Sequence, residues 1–373
     1  MKVSRVNRNA LSACAAVLML AGCASQQLGT PPLAANGGES GMTPLSVERL
    51  AALTMPHFVQ RPVHRDLGKS WMISDPKISD PKINGGQLLY VADWTSDDVW
   101  IYGYPGDRVL GKLTGFNKPY GMCVDAPGNI WVTNFAASTI VEYAHGGTSP
   151  LQTLGTKGPP IGCSVSGKGN LAVANFSIAG GDGDIQLFKG ETGTPKDYSN
   201  SACGMLWSPG YDLNGNLYVE GQAKSGSAVC EISATGKAKL RKVSVNKTIN
   251  SPGGVMWDGK FVTLTDQEGD GMETPVMYRA KESTSGDLKV RGSTQLTDTC
   301  AGNYVDLPQP FVIGNANTPV NKTQGTLVVG GNLLCHGRFD YWAYPWPSGD
   351  PIVTLTKSPA QPYGQVYSRV STE

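Results

Sequence analysis

The sequence predicts an all-β chain, a six-bladed β-propeller closed by a C-terminal strand in the first blade, and three observations carry that expectation. A strand-like unit recurs: Tyr90 in LLYVAD, Trp131 in NIWVTN and Ala172 in NLAVAN stand 41 residues apart, and NLYVEG (216–221) and FVTLTD (261–266) continue the series. A period near 40–45 with several short strands per unit marks a propeller. The chain also carries 47 Gly and 25 Pro with only 16% charged residues, a composition of many tight turns. Finally, residues 100–125 and 341–368 match each other, with Asp107 to Gly121 and Asp350 to Gly364 both 14 apart.

The clearest copy of the unit is 119–143, PYGMCVDAPGNIWVTNFAASTIVEY, read as strands over 121–125, 130–134 and 139–143. The turn APGN between the first two has a mechanism, because Pro presets φ and Gly and Asn tolerate positive φ. Both faces of each strand carry β-branched or aromatic residues, as strands packed on both sides do. Inner-strand glycines keep step at Gly121, Gly162, Gly204, Gly254 and Gly364. The last segment, PYGQVYS, is an inner strand without a blade behind it, and the blade beginning at Leu88 lacks one in front. Pairing the two removes an open sheet edge. Five regular units and one longer unit (300–357) give six blades, with room in the long unit for a seventh.

The amino terminus reads as an export signal. Lys2, Arg5 and Arg8 precede an apolar run over 10–20 that is short for a membrane span. It ends in Leu20-Ala21-Gly22-Cys23, which looks like a bacterial lipobox, with Cys23 as the acylated mature residue. Ala24 leaves out the Asp that retains lipoproteins at the inner membrane, so an outer-membrane anchor is expected, facing periplasm or cell surface. The organisation follows as signal peptide 1–22, flexible tether 23–45, an N-terminal extension with a short helix 46–87, and the propeller 88–373.

Beyond the signal, Cys123, Cys163, Cys203, Cys230, Cys300 and Cys335 form an even set in an exported chain, which suggests disulfides with 15 connectivities open. On the repeat reading, Cys203–Cys230 and Cys300–Cys335 each fall within a blade and Cys123–Cys163 joins neighbouring inner strands. With 31 Lys+Arg against 30 Asp+Glu, nothing suggests a nucleic-acid partner. A monomer is expected.

The stretch PYGMCVDAPGNIWVTN resembles the NHL-type repeat, and is similar to blades of the gluconolactonase/senescence-marker family and of streptogramin B lyases. The likeness is good over 88–175, fair to Asp266 and poor beyond. It specifies fold better than chemistry. The gluconolactonase likeness implies a divalent metal held by an Asp before one inner-strand Gly and an Asn before another, but Tyr120 and Gly253 occupy those places. The lyase likeness implies a His beside an inner-strand turn and a Glu ending a second strand. His57, His64, His145 and His336 are at no such turn, and Asp93, Asn134 and Asn175 end the second strands. No catalytic residue is therefore assigned.

Equivalent positions converge in a propeller, so Asp93, Asn134, Asn175 and Asp266 could ring one end of the channel, with Glu220 displaced by one residue. Such a ring could bind a cation or sugar hydroxyls, or simply hydrogen-bond neighbouring backbone. Tyr120 and Tyr363 precede inner-strand glycines and could stack a ligand or plug the channel. The acidic loops 180–184 and 266–272 hint at calcium, though Met277 stands where a bidentate Glu is needed; no cofactor is otherwise expected. The expected function is a lipid-anchored envelope module binding a protein or glycan partner. The alternative is a metal-dependent hydrolase or lyase of the propeller type.

Overall fold

The computed structural model describes residues 68–73, 86–104, 108–269, 275–297, 311–313, 326–332, 338–344, 348–351, 353–355 and 362–368. All lie in the compact unit Gln60–Glu373. The signal and tether, Cys23, the helix expected within 46–87, Cys300 and Cys335 lie outside them. Among the described residues no helix is long and apolar enough to cross a membrane.

The chain is an all-β propeller, a ring of sheets, and the described strands fall into six of them. In the second sheet Pro119–Val124, Ile130–Asn134, Thr139–Tyr143 and Pro150–Gly155 pair in sequence order, all antiparallel. The third repeats this with Pro160–Val165, Leu171–Asn175, Asp184–Phe188 and Lys196–Ser199. In the fourth the inner strand is split into Met205–Leu206 and Gly210–Tyr211, both on Leu217–Ala223, which is followed by Gly226–Ile232 and Leu240–Val243. The fifth runs Pro252–Trp257, Val262–Asp266, Val276–Glu282 and Leu288–Leu296, with Ser348–Gly349 added in parallel at its edge. The sixth, described mainly as backbone, runs Phe311–Ile313, Thr326–Asn332, Arg338–Tyr344 and Val353–Leu355.

The first sheet is assembled from distant pieces. Leu88–Asp93, Asp98–Gly103 and Val109–Leu113 follow in order, Pro362–Ser368 pairs with Leu88–Asp93, and Trp71–Met72 pairs with Val109–Leu113. The extension before Leu88 thus supplies an edge strand, which its lack of periodicity did not predict.

The hairpin turns are set by their own side chains. Asp125 Oδ1 accepts the Asn129 N–H at 2.7 Å, and Asp212 does the same for Asn216 at 2.8 Å. These Asx bonds substitute for a ladder bond at the turn and free Gly128 to take φ 97°. The inner-strand glycines have a different cause. A Cβ on Gly364 would strike the Tyr120 carbonyl and the Gly121 Cα, so adjacent inner strands approach closer than a side chain permits.

The core lies between sheets, which is why strands are apolar on both faces. Tyr90 and Ala92 pack towards the second sheet with Met122, Val132 and Val141. Leu89 and Val91, on the other face, pack with Tyr102, Tyr104 and Tyr341, the last from the sixth sheet. Trp131, Leu171, Val173 and Phe188 fill the space between second and third sheets. Among the described residues there are two disulfides: Cys123–Cys163 joins the inner strands of the second and third sheets, and Cys203–Cys230 lies within the fourth.

Candidate functional site

Asp93, Asn134, Asn175 and Asp266 occupy one position in four sheets. Each pairs with the proline that opens its inner strand: Pro362, Pro119, Pro160 and Pro252. A register shift follows at each, so the inner strand bulges there. All four are buried, and their side chains are engaged locally. Asp93 Oδ1 accepts the Thr95 N–H at 3.0 Å, and Asn134 Oδ1 accepts that of Asn117 at 2.6 Å. Asp266 accepts Asn250 and Ser251 N–H, each at 3.0 Å. Asn175 Nδ2 donates to Asp184 Oδ1 at 2.7 Å and Gln186 Oε1 at 3.0 Å. Burial pushes the Asp266 carboxyl above its usual range, and the backbone donors oppose the rise.

Glu220 is fully buried in the second strand of the fourth sheet. Its Oε2 accepts the Gly253 N–H of the fifth sheet at 2.9 Å, while Oε1 has no hydrogen-bond partner among the described residues. Burial holds this carboxyl well above the ordinary glutamate range, and the nearby Asp266 charge adds to the shift.

Tyr120 and Tyr363 meet. Their rings stack with centroids 4.8 Å apart and planes 24° apart, and both are buried. Trp94 stands edge-on to both, at 5.9 and 5.6 Å. From Trp94 the contacts run to Phe135 at 5.4 Å, on to Phe176 at 6.4 Å and to Trp207 at 5.2 Å. Phe135 and Phe176 are buried; Trp94 and Trp207 keep part of their surface in solvent. Lys118 sits over the Trp94 ring at 5.7 Å, donates to the Trp94 carbonyl at 2.9 Å and pairs with Asp97 at 3.1 Å. Trp94, Phe135 and Phe176 each follow the buried Asp or Asn that ends a second strand and are themselves 41 residues apart. That spacing is readable in the sequence, whereas the ring contacts that link it across sheets are not.

A second unforeseen cluster lies at the turns beyond the other end of the strands. Carboxylate oxygens of Asp125, Glu142 and Glu191 lie within 4.8 Å of one another. N–H donors already face them: Asn129 to Asp125 at 2.8 Å and to Glu142 at 3.1 Å, Gln152 to Glu142 at 2.7 Å, and Trp131 Nε1 to Glu191 at 2.8 Å. Burial raises the Glu191 carboxyl, the Trp131 bond opposes the rise, and the Asp125 and Glu142 charges add to it. The trio has the oxygens for a hard cation, and each carboxylate already accepts an N–H bond from a neighbouring side chain. Of the two acidic loops, 180–184 contributes Asp184 to the Asn175 bond and a Lys157 ion pair at 3.4 Å, and residues 270–272 lie outside the described residues.

No protein-family model matches the chain, and no curated protein matches it. Solved structures do. A functionally unknown protein from Desulfotomaculum acetoxidans aligns at 9% identity and TM-score 0.51, covering 76% of this chain and 99% of its own. A protein of unknown function from Bacteroides caccae aligns at 13% identity and TM-score 0.51, with the same two coverages, 76% and 99%. Kuenenia stuttgartiensis hydrazine synthase aligns at 14% identity and TM-score 0.47, over 70% of this chain and 74% of that one. The first two likenesses establish the fold and nothing about chemistry.

Proposed function

We propose that this chain is a six-bladed, NHL-like propeller closed by its C-terminal strand, held at the bacterial outer membrane through lipid on Cys23, and working as a binding module for an envelope glycan or protein. One observation carries the binding role: a continuous aromatic series, Tyr363–Tyr120–Trp94–Phe135–Phe176–Trp207, crosses several sheets at one end of the ring. Its buried members brace one another, while the indoles of Trp94 and Trp207 are partly exposed and the Lys118 ammonium sits beside that of Trp94. Stacking on an indole face with a neighbouring polar group suits a sugar ring. The pairing of Pro362–Ser368 with Leu88–Asp93 supports closure, and two disulfides suit an exported chain.

The hydrolase or lyase alternative has less support. Asp93, Asn134 and Asp266 turn oxygens toward backbone N–H groups. The test is tryptophan fluorescence and calorimetry of the full chain against envelope oligosaccharides. Saturable quenching that W94A and W207A each weaken by tenfold or more is expected. Saturable binding unchanged in both variants would move the site elsewhere, and no binding to any glycan would leave the protein partner as the module's only occupant.

A further inference from the structure

A cationic cluster lies away from the aromatic end, at the turn leading into Val262–Asp266 of the fifth sheet. Three positive groups surround the ring of Phe261: Lys260 Nζ at 5.4 Å, Arg279 Cζ at 5.7 Å and Lys281 Nζ at 5.3 Å from its centroid. The arrangement follows from register. Val262 pairs with Ala280, so the next step brings Phe261 opposite Lys281, and Arg279 shares that face of its strand. Lys281 in turn pairs directly with Lys289 on Leu288–Leu296. Like charges directly opposite on neighbouring strands are destabilising unless something offsets them.

Among the described residues no carboxylate forms an ion pair with the three cations; the ion pairs there involve Lys112, Lys118, Lys157 and Arg241. Asp258, in the same turn, is already committed: Oδ1 accepts the N–H groups of Lys260 at 2.8 Å and Phe261 at 2.7 Å, and Oδ2 accepts the Tyr344 hydroxyl at 2.7 Å. Glu282 accepts hydrogen bonds from Asn216 and Tyr218 on the fourth-sheet side. Asp287 lies in the turn before Leu288–Leu296, where it interacts with Lys289 and accepts the Ser285 hydroxyl at 2.8 Å. Meanwhile the buried Nε–H of Arg279 has no acceptor among the described residues. The guanidinium lies over Gly292, whose missing side chain leaves the room it occupies.

We propose that Lys260, Arg279 and Lys281, gathered around Phe261, form a site for a phosphate-type oxyanion. A guanidinium fork supplies two parallel donors, and two ammonium groups complete the coordination of a tetrahedral anion. Phe261 holds the cations by its ring face and leaves their N–H groups free to turn outward. Lys260 and Lys281 are exposed, so the anion can be a free phosphate or a phosphate group displayed on a lipid headgroup.

The experiment uses the full chain carrying C23A, so that no acyl group contributes, with the K260Q/K281Q double variant and R279K made in it. Inorganic pyrophosphate is the free-anion probe in thermal melts at low salt, and phosphatidylglycerol vesicles in a phosphatidylcholine background are the headgroup probe in co-sedimentation. Saturating pyrophosphate is expected to raise the melting temperature by roughly 2–4 °C, with the rise lost in the double variant and reduced in R279K. Vesicle binding that depends on the two lysines without a pyrophosphate shift assigns the headgroup as the source. Matching circular dichroism and probe-free melts of the three proteins make a lost response a binding effect. If wild type and double variant respond alike to both probes, or neither probe acts on wild type, the proposal is overturned.

Discussion

The ring of Tyr120 stacks on that of Tyr363, 4.8 Å away, although 243 residues of chain separate them (363 − 120). The contact joins the inner strand of the second sheet to the strand that completes the first. Removing a buried aromatic ring forfeits its transfer energy and leaves a cavity, so Y363A is expected to cost about 3–5 kcal/mol in urea unfolding. Y363F keeps the ring and should cost less than about 1 kcal/mol. Equal losses for the two would mean that the hydroxyl, not the stack, ties the strands.

Gly364 gives a sharper test of strand proximity. Any Cβ there meets the backbone of Tyr120 and Gly121, which cannot rotate aside. G364A is expected to destabilise by at least about 2 kcal/mol, whereas G155A, with open space around it in a surface strand, should change stability by under about 1 kcal/mol. Paired chemical melts measure the difference.

Glu220 makes stability depend on pH in a defined direction. Its folded-state pKa is raised by burial, so its contribution is fully present below the unfolded value of about 4.3 and is lost as pH rises through the folded value. Melts from pH 4 to 9 should therefore find E220Q gaining on wild type as pH rises, with the gap narrowing towards pH 4. A constant gap would place the carboxyl in a different protonation state.

His145 acts at the acid side. Burial pushes its pKa down to about 4, against an unfolded value near 6.5. A depressed folded pKa means the unfolded chain takes up the proton first, so stability falls as pH drops from 6.5 towards 4. Its Nδ1 lies 2.7 Å from Ser368 Oγ on the C-terminal strand, so the loss weakens that strand's attachment. H145Q should flatten the profile across this window, read as the slope of melting temperature against pH.

The Asp125, Glu142 and Glu191 trio is expected to behave as a hydrogen-bonded network. Calcium and a chelator should give melting temperatures within about 1 °C of each other. A calcium-induced rise of several degrees that E191Q abolishes would make the trio a cation site instead.

Much of the architecture was readable because it repeats. The repeat of about 40–45 residues located the second strands, and Cys123–Cys163 and Cys203–Cys230 pair as the repeat placed their cysteines. Trp71–Met72 was not readable, since two residues on a sheet edge leave no period. The aromatic series was half legible: Tyr120 and Tyr363 stood out beside their glycines, but the role of Trp94 depends on ring contacts made across sheets to Tyr120 and Phe135. The cations around Phe261 and the carboxylate trio were invisible, because each is assembled by strand register and packing that residue order alone does not reveal.

The first sheet contains both early and late chain: Trp71–Met72 on one edge and Pro362–Ser368 on the other. During synthesis, Leu88–Asp93 waits for nearly three hundred residues to be added before its partner strand exists (362 − 88 = 274). Until then an apolar strand edge stays available to any passing chain, which makes nascent forms truncated before residue 362 the aggregation-prone species. A chaperone that shields unpaired strands would matter most for the first sheet, whose closing strand arrives last, and least for the second and third sheets, whose strands complete themselves in order.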